Sequence, residues 1–168
     1  MKIDANYWIE KLQLQPHPEG GFYRETYRSL DIVNKENTLP RHQGERNACT
    51  AIYYLLTSEQ FSAFHILESD EILHYYCGAP MTIHLLDKQG NYRQKKLGNN
   101  PENDEEPQVV VPHHTWLSLS VNTPNSYSLI GCTVAPGFDF RDFRLASRQE
   151  LLQIYPQHRQ LIESFTYG

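Results

Sequence analysis

The stretch Phe64-His65-Ile66-Leu67-Glu68-Ser69-Asp70-Glu71-Ile72-Leu73-His74-Tyr75-Tyr76-Cys77-Gly78 decides the fold. Two alternating runs flank a tight Glu68-Ser69-Asp70 turn. His65 shares strand parity with Ala63 and Leu67, and Glu71 shares it with Leu73 and Tyr75. A period of two is the mark of a half-buried strand. With the apolar members facing inward, His65 and Glu71 point into the interior together. An imidazole and a carboxyl inside an apolar interior are costly unless they are paired, metal-bound or open to a wet cavity. The same run of residues therefore predicts both a pair of strands and a site.

Outward from this stretch the strand pattern continues. Phe22 to Arg28 alternates, with Tyr23, Glu25 and Tyr27 on one side. Ala48 to Leu56 is an apolar strand, and Met81 to Asp87, Tyr92 to Leu97, Gln108 to Val111, Thr115 to Val121 and Tyr127 to Val134 follow. About nine short strands with turn signals between them predict an all-β sandwich or barrel. Leu30 to Asn47 reads as a long polar loop, and Gly98 to Pro107 as an acidic one. A short helix capped by Asp4 opens the chain, with Trp8, Ile9 and Leu12 on one face. Glu19-Gly20-Gly21 is a turn. At the other end Ser147-Arg148-Gln149-Glu150 predicts a capping box, and Pro156 starts a second short helix. The expected organisation is one domain over 1–168: helix and turn over 1–21, barrel over 22–134 and a helical segment over 135–168.

Composition bounds the function. The chain has 168 residues, 15 basic against 20 acidic, and a net charge of −5. That balance argues against a protein devoted to nucleic acid. No segment approaches the roughly 18 apolar residues of a membrane helix, so no membrane partner is expected. Cys49, Cys77 and Cys132 lack metal-type spacing and read as buried free thiols. With no apolar signal core at the N-terminus, a reducing, cytoplasmic location is expected. The sequence has no Gly-x-Ser-x-Gly elbow, no phosphate-binding Gly-x4-Gly-Lys loop and no Gly-x-Gly-x-x-Gly.

His65-x-Leu67-x3-Glu71-x6-Gly78 resembles the first cupin motif. The strongest resemblance is to the DUF985 (cupin-5) family of poorly characterised cupins. It rests on Pro16-His17-Pro18-Glu19-Gly20-Gly21-Phe22-Tyr23-Arg24-Glu25-Thr26-Tyr27, Ser62 to Gly78, Val111-Pro112, and Gly131-Cys132-Thr133-Val134-Ala135-Pro136-Gly137-Phe138-Asp139-Phe140. The resemblance implies a cupin double-stranded β-helix, a jelly-roll barrel with a short N-terminal helix and two short C-terminal ones. It also implies a homodimer, which would close exposed strand edges.

Departures from the motif bear on chemistry. Metal-binding cupins typically use three histidines and a glutamate. Here Leu67 and Leu117 stand at two of those positions, and His114 replaces a glycine. Leucine binds no metal, so none is expected. A divalent ion, if one binds, would be held by His65, Glu71 and His114. The catalytic candidates are His65, Glu71 and Tyr75, with Glu71 fixing the imidazole tautomer. Tyr23 is an alternative to Tyr75 as the acid. The candidates for ligand binding are Tyr23, Glu25, Tyr27 and His114. His17 reads as a loop residue, His74 and His84 as surface or structural histidines, and Asp139 as a turn residue. The expected role is binding of a small molecule in the barrel cavity. The alternatives are a metal-independent sugar-nucleotide epimerase with His65 as base, and a metal-dependent enzyme with a degenerate ligand set.

Overall fold

The alternating runs become strands in the computed structural model, which describes residues 3–34 and 40–168. In chain order, helix α1 (Ala5–Lys11) precedes β1 (Gln15–Pro16), β2 (Phe22–Arg28), β3 (Ile32–Val33), β4 (Arg46–Asn47), β5 (Thr50–Thr57), β6 (Phe61–Leu67) and β7 (Asp70–Gly78). Then come β8 (Met81–Leu86), β9 (Tyr92–Leu97), β10 (Glu105–Glu106), β11 (Gln108–Val111), β12 (Trp116–Val121), β13 (Tyr127–Ala135) and β14 (Phe143–Leu145). Helices α2 (Arg148–Ile154) and α3 (Arg159–Ser164) close the chain. All nine expected strands form. The remaining, very short ones are too brief for a period to show.

Two six-stranded sheets, ordered β1-β2-β5-β13-β7-β11 and β10-β9-β8-β12-β6-β14, pack face to face as a jelly roll. The turn at Glu68-Ser69 is a corner between sheets, since β6 and β7 lie in different ones. His65 and Glu71 thus approach each other from opposite walls. Between the sheets, Leu56, Leu73, Met81, Ile83, Leu97, Leu119 and Ile130 form the main core. Burying each such side chain contributes roughly 1.5–3 kcal/mol.

Helices cover the outer faces. Trp8 and Ile9 of α1 and Leu12 at its C-terminal cap pack on Leu55 and Leu129, and Asp4 accepts the Tyr7 N–H at 3.0 Å as the expected cap. Leu151, Tyr155 and Ile162 pack on Phe64, Leu86 and Trp116 of the second sheet. Only half of the expected capping box forms. Ser147 Oγ accepts the Glu150 N–H at 3.4 Å, but the Glu150 carboxylate turns to Arg144 at 2.6 Å, a charged partner that outcompetes a backbone amide.

Three further expectations change. The segment after residue 134 is not purely helical, because β14 adds an edge strand beside β6. The polar stretch from Leu30 to Asn47 is partly built in, although residues 35–39 lie outside the described residues. In it β3 pairs with β4, and His42 and Arg46 are buried against Asp142. Of the thiols, only Cys132 is buried; Cys49 and Cys77 are half-buried.

Candidate functional site

Between the sheets, a cavity of about 530 Å³ opens at the β2 side of the barrel. His65 and Glu71 line it, with Leu67, Leu117, Leu119, Cys132 and Val134 around them. The turn before β2 supplies His17 and Glu19. Sequence parity could not reveal Glu19, because it lies outside any alternating run.

Local chemistry fixes Glu19 from several sides. Its backbone carbonyl accepts the Ala63 N–H at 2.7 Å and the Tyr167 hydroxyl at 2.9 Å. Ser62 Oγ donates to its Oε1 at 2.8 Å. Gly20 and Gly21 follow with φ of 112° and 71°, in the region that favours glycine. A Cβ on Gly20 would run into the Phe61 carbonyl oxygen. The Glu19-Gly20-Gly21 turn thereby drives an acid side chain into the barrel floor.

Hydrogen bonds set the tautomers. His65 Nδ1 lies 2.9 Å from the Ala63 carbonyl oxygen, so Nδ1 carries a proton and Nε2 presents a lone pair when the ring is neutral. The backbone thus does the task expected of Glu71. The Glu19 N–H donates to His17 Nδ1 at 3.3 Å, leaving that ring's proton on Nε2. His17 Nδ1 and His65 Nε2 each lie 3.4 Å from Glu19 Oε2. His17 Nδ1 already spends its lone pair on the Glu19 N–H, so a proton on Glu19 Oε2 points to the free lone pair of His65 Nε2.

Burial pushes the same way. It raises Glu19, against opposing contributions from His17 and Ser62, and it lowers His65 and His17. It also pushes Glu71 up to about 7, with His65 opposing and the neighbouring Glu19 adding to the rise. Glu71 receives no N–H or O–H and no ion pair among the described residues; the Cys132 thiol is its donor neighbour.

The rim is aromatic and internally charge-paired. Phe138, Phe140 and Phe143 pack with centroids 5.0–6.1 Å apart, and Phe140 stacks over His17. Phe138 is held by its N–H to Thr50 Oγ1 at 2.8 Å and by its carbonyl, which accepts from Arg28 at 3.1 Å. Arg28 also bonds both Glu25 oxygens, at 2.9 and 2.7 Å, and Asn47 at 2.8 Å. Arg141 bonds Asp139 at 2.9 and 2.7 Å and holds that carboxyl well below the usual range.

Of the expected binding residues, Tyr23 and Glu25 line the cavity and Tyr27 does not. The β2–β5 pairing slips between Glu25 and Tyr27, a bulge that exchanges the faces. Tyr27 is therefore 55% exposed, and Arg28 takes the inward position. Tyr75 packs against the main core away from this cavity and donates to the Gly78 carbonyl at 2.5 Å. His114 bonds Glu68 at 2.5 Å and faces a separate surface cleft with Trp116 and Arg144. His74 meets Thr133, and His84 is buried between Tyr92 and Ser120. His17 belongs to the site and Asp139 to its rim.

A three-histidine, one-glutamate metal centre does not fit these residues. Leu67 and Leu117 put methyl groups into the cavity at two of the four positions, and His114 faces elsewhere. Among the described residues no group of three or more His, Cys, Asp or Glu is placed to hold an ion.

Comparison with known proteins agrees with this architecture. Residues 6–146 match the family described as cupin superfamily (DUF985). A crystal structure of a protein from Shewanella oneidensis superposes with a TM-score of 0.90 and 34% identity, covering 99% of each chain. A hypothetical protein from Leishmania major gives 0.89 and 36%, covering 99% of this chain and 100% of the other. An uncharacterized protein of Saccharomyces cerevisiae is 32% identical over 155 residues, which is 86% of this chain and 76% of that protein.

Proposed function

The chain belongs to the DUF985 family of the cupin superfamily, and from that premise we propose that it binds a small organic molecule in the barrel cavity and moves a proton on it. One observation carries this reading: Glu19 Oε2 lies 3.4 Å from both His17 Nδ1 and His65 Nε2 at the wall of a cavity of about 530 Å³. The volume is in the range of small-molecule sites. Glu19 and His65, which share a proton there beside His17, form an acid–base unit.

The reaction class that suits such a unit is an isomerisation. A proton leaves a carbon beside a carbonyl for His65 Nε2 and returns from it to the same carbon, so the step exchanges or inverts that centre and consumes no co-reactant. No redox partner is needed. A sugar nucleotide fits less well, because its diphosphate needs cations. Arg28 has committed four hydrogen bonds to Glu25, Asn47 and Phe138, leaving Arg24 alone. A homodimer remains part of the proposal, and light scattering tests it.

The test is a thermal-shift screen of a broad small-metabolite panel, followed by deuterium wash-in from D2O on each compound that binds. We expect at least one stabilising ligand and exchange at a carbon position, lost in His65→Ala and Glu19→Gln. A panel without any stabilising compound overturns the binding reading. Exchange that survives both substitutions overturns the proton transfer.

A further inference from the structure

Glu71 is the group the His17–Glu19–His65 unit leaves over. It is only 8% exposed, lines the cavity, and has no cationic or N–H partner among the described residues. A buried carboxyl in that state normally has its complement in whatever fills the space before it.

The rest of the lining says what that complement is. No lysine lines the cavity, and its two arginines sit on β2 at the rim. Arg28 is held by Glu25, and the guanidinium of Arg24 stacks 5.7 Å over the Tyr53 ring. The interior thus offers an anion little. The walls carry Tyr23, Tyr54, Phe138, Phe140 and Phe143, whose ring faces are electron-rich. Aromatic faces together with an uncompensated carboxyl are the surroundings that hold an organic cation.

We infer that the ligand of this cavity carries a protonated amine, seated against Glu71, on a body that packs against the aromatic wall. This rests on the reading that the cavity binds a small molecule, and it names the class of that molecule. Burial keeps Glu71 up at about 7, and an ammonium beside it would draw it back to the ionised form. The other titratable groups around Glu71 are Glu19, His65 and Cys132. None is a fixed cation, so none competes for that place.

Titration calorimetry at pH 8 with 2-phenylethylamine, 2-phenylethanol and phenylacetate tests it. The three probes share a body and differ in charge. The expected result is binding of the amine at least ten-fold tighter than either other probe, with the preference lost in Glu71→Gln. Glu102→Gln, in the exposed acidic loop, should retain it and shows that the preference is not a general effect of the net negative charge. Thermal melts check that Glu71→Gln is folded. An alcohol or anion that binds as tightly as the amine overturns the inference and leaves the cavity reading standing. A preference that survives Glu71→Gln overturns the seat at Glu71. Binding of none of the three also overturns the inference, and the charge-independent metabolite screen then decides the reading beneath it.

Discussion

His65 Nε2 faces Glu19 Oε2 across 3.4 Å, the imidazole from β6 and the carboxyl from the turn before β2. Nothing in the barrel's hydrogen-bond ladder requires this meeting. It depends on Gly20 and Gly21, whose positive φ angles turn Glu19 inward. Gly20→Ala should therefore destabilise the fold by about 3 kcal/mol, combining the strained φ with the collision at Phe61. That corresponds to a fall in Tm of roughly 6–12 °C by calorimetry. A loss of under about 1 kcal/mol would mean that the turn is not pinned.

Glu71 makes stability depend on pH in the unusual direction for a carboxyl. Its folded value is about 7 against an ordinary 4.5. Between those values the native state holds a proton that the unfolded chain releases. The stabilising contribution is therefore complete below about 4.5 and declines as pH rises to about 7. The full effect is roughly 3 kcal/mol. Glu71→Gln should raise Tm at pH 8 and have little effect at pH 5. Equal effects at both pH values would show that Glu71 is ionised throughout.

Strand positions were legible because alternating runs, as in β2 and β6, and continuous apolar runs, as in β5, lie between turn signals. The placement of side chains was less so. A single extra residue at Thr26 reverses the face of everything after it, and no period in Phe22–Arg28 announces it. Parity alone groups Tyr27 with Tyr23 and Glu25, whereas the bulge gives that side to Arg28. His65 and Glu71 share the parity of their apolar neighbours and both line the cavity, but no sequence signal marks the corner at Glu68-Ser69 that sets them on opposite sheets. Glu19 was hidden for another reason. Its position is fixed by Ser62, Ala63 and Tyr167, which are remote in sequence. The one local signal was an acid immediately before two glycines, which read as a turn alone.

His84 should add to the acid sensitivity of the fold. Burial lowers it to about 4 from 6.5. The unfolded chain takes up a proton in this interval while the native state does not. The contribution is thus fully present above about 6.5 and is lost as pH falls toward 4. Its partners, Tyr92 at 2.7 Å and Ser120 at 3.0 Å, satisfy the neutral ring. His84→Gln should cost stability at pH 7 and flatten the urea-unfolding profile between pH 6.5 and 4. A slope unchanged from wild type would place the acid sensitivity elsewhere.

Tyr75 separates barrel integrity from the site. Its hydroxyl bonds the Gly78 carbonyl and it packs against the core away from the cavity. Tyr75→Phe should cost about 1 kcal/mol, the worth of an ordinary hydrogen bond. Ligand affinity and deuterium wash-in should match wild type within two-fold. A ten-fold loss in either would return Tyr75 to the catalytic group.

Asp142 anchors the far side of the rim. It accepts from Arg46 Nε at 2.6 Å and Nη2 at 2.7 Å, and it lies 3.2 Å from His42 Nδ1. All three residues are buried. Removing one member leaves a buried charge without its partner, which costs about 3–5 kcal/mol. Asp142 also sits directly before Phe143 of the aromatic rim, so its loss should loosen that wall. Asp142→Asn is expected to lower stability by this amount in urea unfolding and to speed amide hydrogen exchange at Phe143 and Arg144, while exchange at Leu56 and Leu73 keeps its rank as slowest. Arg46→Met, which removes the cation but keeps much of its bulk, should give the same pattern. Uniform acceleration across the chain in both variants would show that the pair supports the whole fold and not the rim in particular.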